Sequence, residues 1–124
     1  MAELRLTEAE SRLAEIVWAN APVPSPELVE ICRRELDWAK STTYTILKKL
    51  CDKGVFRNQS ALVTALMSKD DLAAKQCRDF IDDSFEGSLP KFIAAFVGTS
   101  RLSDRQAEEI RSMIEKYKEQ TNDE

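Results

Sequence analysis

Ser41, Tyr44, Thr45 and Lys48 recur at i, i+3, i+4 and i+7. On a helix that spacing sets three hydroxyls and an ammonium on one side. Hydroxyls donate and accept hydrogen bonds, and the ammonium donates three. Such a face suits the phosphates and base edges of nucleic acid. The local charge agrees with it. Residues 38–57 carry Lys40, Lys48, Lys49, Lys53 and Arg57 against Asp52 alone, a patch of +4 in a chain of net −4. Fields between exposed charges fade over about 8–10 Å at physiological salt, so the patch matters more than the overall balance. The plain alternative is a solvated helix face.

Other chemistry is poorly supplied. The 124 residues include no histidine, which removes imidazole acid–base catalysis, Ser-His and Cys-His pairs, and histidine-ligated metals. Cys32, Cys51 and Cys77 lie 19 and 26 residues apart and form no CxxC pair. They read as buried, reduced thiols. Three glycines leave no Gly-rich phosphate loop. Glu108 and Glu109 are adjacent, so on a helix they point about 100° apart and make a poor acid–base pair. No enzyme activity, metal or cofactor is expected.

The elements that must position the hydroxyl face follow from caps and periodicity. Thr7 to Glu10 has the form of a capping box and opens a helix over about 7–19, apolar at Ala9, Leu13, Ile16 and Val17. Pro22 and Pro24 end it, with Val23 between them as a short strand. Ser25 suits an N-cap and Pro26 the first turn of a second helix to about Leu36. The third helix follows Trp38. Its inner stripe is Thr43, Ile46, Leu47 and Leu50, its outer face Ser41, Tyr44, Thr45 and Lys48, and its cap Gly54. Residues 55–57 and 62–66 read as a hairpin around Asn58-Gln59-Ser60. The fold class is therefore mainly α with a small β-hairpin: a winged helix-turn-helix over residues 1–67, with its third helix as the recognition helix. The helix N-terminus adds a phosphate site near Ser41 and Thr42.

Residues 68–124 read as three more helices and a C-terminal helical dimerisation region. Ser68 opens the fourth, apolar at Ala73, Cys77, Phe80 and Ile81. Leu89, Phe92, Ile93, Phe96 and Val97 stripe the fifth, which Gly98 ends. Ser103 opens the sixth, with Ala107, Ile110, Met113, Ile114 and Tyr117 on one side. A polar tail runs from Gln120 to Glu124. So much apolar surface on so short a segment needs cover. A two-fold homodimer supplies it, with an interface of Leu89, Phe92, Ile93, Phe96, Val97, Ile110, Met113, Ile114 and Tyr117. The other cover is the winged helix of the same chain. No apolar run reaches the roughly 20 residues of a membrane span, and Met1 to Arg5 does not start like a signal peptide, so no membrane insertion and a cytoplasmic location are expected.

Order and spacing together then become recognisable. Leu6-Thr7-Glu8-Ala9-Glu10 with Ile16-Val17-Trp18, Pro22-Val23 with Glu27-Leu28-Val29, and Trp38-Ala39 with Thr42-Thr43-Tyr44-Thr45 open the pattern. Leu47-Lys48-Lys49-Leu50, Lys53-Gly54, Ser68-Lys69-Asp70-Asp71, Phe96, Leu102-Ser103 and Ala107-Glu108-Glu109-Ile110 complete it. From Leu6 to Tyr117 the chain resembles the penicillinase-repressor family of bacterial transcription regulators (the BlaI/MecI/CopY type). The resemblance implies a homodimeric repressor of genes such as those for β-lactam resistance, bound to a palindromic, double-stranded operator. By position it implies DNA contacts from Lys40, Ser41, Thr42, Tyr44, Thr45, Lys48 and Lys49, with Trp18 and Trp38 as packing residues. Arg57 is the one cation of the wing, whose contact with DNA stays open. The β-lactam-responsive members are similar to one another in being cut by a membrane sensor protease at an Asn–Phe bond in the fifth helix. Ala95–Phe96 stands at that place with Ala for Asn, which makes it the candidate cleavage position and such a protease a candidate partner. Copper-responsive relatives carry clustered C-terminal cysteines; this chain has none after Cys77. An interaction adaptor on a winged-helix scaffold, without operator binding, is the rival reading.

Overall fold

The Thr7 hydroxyl accepts the Glu10 amide at 3.1 Å and the Glu10 carboxylate accepts the Thr7 amide at 2.9 Å. That reciprocal cap starts α1, Glu8–Asn20, in the computed structural model, which describes residues 4–121. Of the tail expected from Gln120 to Glu124, Gln120 and Thr121 instead belong to the last helix; the first three residues and 122–124 lie outside the described residues. The chain continues through β1 (Val23–Pro24), α2 (Ser25–Leu36), α3 (Lys40–Asp52), β2 (Phe56–Gln59), β3 (Leu62–Ala65), α4 (Lys69–Phe85), α5 (Leu89–Thr99) and α6 (Asp104–Thr121). The fold is mainly helical with a small sheet, as a winged helix with C-terminal helices requires.

The core lies between α1, α2, α3 and the sheet. Leu13, Val17, Leu28, Leu47, Leu50, Phe56 and Val63 are almost fully buried. Each such side chain contributes roughly 1.5–3 kcal/mol on burial. The antiparallel sheet has the order β1-β3-β2, with Val23 opposite Val63 and Phe56 opposite Ala65. The short strand expected at Val23 thus becomes the third strand of the wing sheet. Trp18 meets Phe56 edge-on at 5.5 Å and donates its indole N–H to the Met67 carbonyl at 3.0 Å, joining α1 to the end of the wing.

Several local expectations shift. Ser25 is the first residue of α2 rather than its cap; Pro24 occupies the cap position and offers no side-chain bond. The hairpin turns at Ser60 and Ala61, not around Asn58-Gln59-Ser60, because Gln59 already pairs with Leu62. Both turn residues take positive φ, 54° and 61°. Such a two-residue turn usually carries Asn or Gly, so the sequence hides it. Helix α5 runs through Gly98 to Thr99, since a lone helical glycine costs only about 1 kcal/mol. Gly54 does end α3, at φ 84°: its N–H reaches the Cys51 carbonyl and that of Val55 reaches Leu50.

Helix α4 begins in a capping box between Ser68 and Asp71. Its first turns sit on the winged helix: Leu72 is buried in the same core, Gln76 donates to the Leu4 carbonyl, and Lys69 pairs with Glu15 at 2.7 Å. Farther on, Phe80, Phe85 and Phe92 meet edge-on at 5.6–6.2 Å and join α4 to α5.

Candidate nucleic-acid interface

Helix α3 buries Thr43, Leu47 and Leu50 and half-buries Ile46, as its inner stripe requires. The rotation that hides those residues turns Lys40, Ser41, Thr42, Thr45, Lys48 and Lys49 to solvent. The helix follows α2 after three residues. Asp37 stands in the left-handed region at φ 57°, and its N–H still bonds the Arg33 carbonyl. Ala39 caps α3 without a side-chain bond. The first-turn amides around Ser41 and Thr42 therefore face outward with no cap oxygen on them, at the positive end of the helix dipole.

The five cations of the basic stretch divide in two. Lys53 points inward. Its ammonium lies 2.6 Å from the Glu10 carboxylate, which is buried, and 2.9 Å from the Arg5 carbonyl. Burial would raise the Glu10 carboxyl, but the Lys53 hydrogen bond, the Thr7 amide and the charges of Lys53 and Lys49 outweigh it and hold the pKa below its ordinary value. Lys53 thus belongs to the fold. The other four stay outside. Lys48 pairs with Asp52 at 3.2 Å with both side chains mostly exposed, and Arg57 donates to Gln59 along the same strand, β2. Lys40 and Lys49 make no ion pair within 4 Å among the described residues.

Tyr44 is half-buried rather than fully outward. Its ring packs against the core, and its hydroxyl donates to Ser25 Oγ at 3.2 Å. Sequence reasoning missed Ser25 as a partner of α3, because 19 residues separate the pair and no periodicity links them. Beside Tyr44 a cleft opens between α3 and the wing, with Leu47 and Phe56 in its floor and Lys48 and Arg57 at its edge.

The second half presents its apolar stripes to solvent. No residue of α5 is buried, and Leu89, Ile93, Phe96, Val97, Ile110, Met113, Ile114 and Tyr117 are each 38–58% exposed. Packing of the α5 stripe onto the winged helix of the same chain is thereby overturned: the aromatic ring cluster draws α5 against α4 and leaves the stripe outside. Phe92, at the centre of that cluster, is only half-exposed. Phe85 belongs to it and is absent from the periodic stripe. Ala95 and Phe96 are both exposed.

The thiols also differ from expectation. Cys32 is buried and Cys51 half-buried, and burial raises both pKa values; Cys77 is exposed on α4. Position 77 falls on the solvent side once Leu72 faces the core. Among the described residues there is no cluster of three or more metal-ligating side chains, and no helix is long and apolar enough to cross a membrane.

The penicillinase repressor family model matches residues 6–116. The methicillin resistance regulatory protein MecI of Mammaliicoccus sciuri is 24% identical over 115 residues, covering 90% of this chain and 94% of that protein. The MecI proteins of Staphylococcus aureus strain N315 and Staphylococcus epidermidis match over the same span at the same identity.

Proposed function

The chain belongs to the penicillinase repressor family of transcriptional repressors, and from that premise we propose that it represses, with no enzyme activity of its own, by binding a palindromic, double-stranded operator as a cytoplasmic homodimer. The observation that carries the reading is the outer face of α3. Exposed hydroxyls of Ser41, Thr42 and Thr45 stand among the ammonium groups of Lys40, Lys48 and Lys49, beside uncapped helix amides. Lysines and amides hold phosphates and fix register, while the hydroxyls reach base edges in the major groove. Arg57 extends the cationic edge onto the wing.

Residues 1–67 then bind the operator and residues 68–124 join two copies. The exposed stripes of α5 and α6 support that division, since side chains such as Phe96 and Ile114 gain cover from a second copy. Two copies set two recognition helices on half-sites one turn of DNA apart. Release follows from loss of the dimer, because specific binding exceeds non-specific binding by about 4–10 kcal/mol and one copy holds half of the contacts. A cut between Ala95 and Phe96 by a membrane sensor protease, with β-lactam resistance genes as targets, is the form of release the family suggests.

The test is selection of duplexes from a random library by the purified chain, followed by fluorescence anisotropy across salt. Tight binding at two protomers per duplex, with a steep salt slope, is expected. Binding no tighter than to random duplex, at low and at physiological salt, overturns the reading in favour of an interaction adaptor.

A further inference from the structure

Ser25 stands where three elements meet. It opens α2, its N–H donates to the Ala61 carbonyl in the wing turn at 2.8 Å, and its Oγ accepts the Tyr44 hydroxyl of α3 at 3.2 Å. Ser25 is only 4% exposed, so water does not readily replace either partner. Its acceptor in the turn, Ala61, sits at φ 61°, a conformation that L residues adopt only when held. The Tyr44 ring lines the cleft between α3 and the wing, together with Phe56 and Asn58 of β2. A continuous line of bonds therefore runs from the recognition helix, through one buried serine, to the tip of the wing.

We infer that Tyr44 is a positioning residue which, through Ser25, sets the wing turn relative to the recognition helix, and does not itself read a base. The inference rests on the operator-binding reading above. The polar groups that face DNA are split between two elements: Ser41, Thr42, Thr45 and Lys48 on α3, Arg57 and its neighbours on the wing. Both sets engage one duplex only if their separation is fixed beforehand, and a looseness of about 1 Å is enough to weaken a site. The Tyr44 hydroxyl is already spent as a donor inside the protein. Its outward position in the periodic pattern is therefore misleading about its role.

Two conservative variants test this. Tyr44→Phe keeps the ring and removes the hydroxyl; Ser25→Ala keeps the helix start and removes Oγ. The wild-type chain first selects a preferred duplex from a random library, and all variants are titrated on it, with thermal unfolding as a check of folding. Each single variant is expected to weaken binding about three- to tenfold, the equivalent of one hydrogen bond. The double variant is expected to be no weaker than either single one. Base preference under α3 stays unchanged, while preference at the positions flanking it flattens. Without DNA, the Ser25 amide exchanges its hydrogen faster in Tyr44→Phe. A changed base preference in Tyr44→Phe alone, penalties that multiply in the double variant, or singles that bind as the wild type does would each overturn the inference. If the wild-type chain selects no duplex at all, the operator reading falls, and this inference falls with it.

Discussion

The Lys53 ammonium lies 2.6 Å from Glu10 across 43 residues of chain, and the glutamate side chain is 3% exposed. The pair fastens the end of α3 to the start of α1, so it fixes the tilt of α3 on its support. Removing Lys53 leaves the buried Glu10 charge without its counter-ion, held by the Thr7 amide alone. Lys53→Met is therefore expected to cost about 3 kcal/mol at neutral pH. The sign with pH follows from Glu10, whose pKa is lowered from 4.5 in the fold. Its contribution is complete above the unfolded value and is lost as pH falls through the folded value. In Lys53→Met burial acts unopposed by that ammonium, so the variant and the wild type are expected to converge in stability only as pH falls below the lowered folded value of Glu10. Urea unfolding at pH 7 and at a series of falling pH values checks this; a gap that stays constant down to the acid limit of the fold would mean that the pair contributes through packing alone.

Lys48 is the contrasting cation. Its bridge to Asp52 is exposed on both sides, at 76% and 65%, and such helix pairs contribute roughly 0.3–0.5 kcal/mol. Lys48→Ala should leave the unfolding midpoint nearly unchanged. If the lysine meets a phosphate, its loss lowers the slope of log affinity against log salt by about one unit. Anisotropy titrations at several salt concentrations measure that slope directly. Unchanged affinity at low salt would remove Lys48 from the interface.

What was legible in the sequence was local. The caps at Thr7, Ser68 and Gly54 and the two faces of α3 depend on residues three or four apart, and periodicity displays them. The bonds that decide roles are long-range. Glu10 with Lys53, Ser25 with Tyr44, Trp18 with Met67 and Leu72 in the winged-helix core all join distant parts of the chain. No spacing rule encodes such pairs, which is why Lys53 counted as part of a binding patch and Tyr44 as an outward hydroxyl. The wing turn was hidden for another reason: Ser60 and Ala61 adopt positive φ without the residues that normally announce it.

That turn gives a further prediction. A non-glycine residue at positive φ costs about 1–2 kcal/mol, and glycine loses roughly half of that advantage through the greater freedom of the unfolded chain. Ala61→Gly should therefore stabilise the protein by about 0.5–1 kcal/mol, with the Ala61 carbonyl still free to accept the Ser25 amide. Thermal unfolding tests it. A lower midpoint would show that the wing needs the stiffness of alanine more than it suffers from the strain.

Phe96 tests the second half. It is 47% exposed, and its ring contact within the chain is a tilted one with Phe92 at 6.4 Å. A charge there disturbs little inside one copy, so Phe96→Asp should keep its helical circular dichroism. Inside a dimer the same carboxylate would face apolar side chains of the second copy, and two-fold symmetry applies that desolvation cost twice. Sedimentation is expected to give a 14.1 kDa monomer for the variant, against twice that mass for the wild type. Operator affinity should then drop to that of random duplex, because the second half-site is no longer held. Ile114→Asp on α6, whose side chain is 58% exposed, should act in the same way if both stripes form one interface. An intact dimer in Phe96→Asp would place this phenylalanine outside the contact, and a monomeric Ile114→Asp beside it would move the interface onto α6 alone.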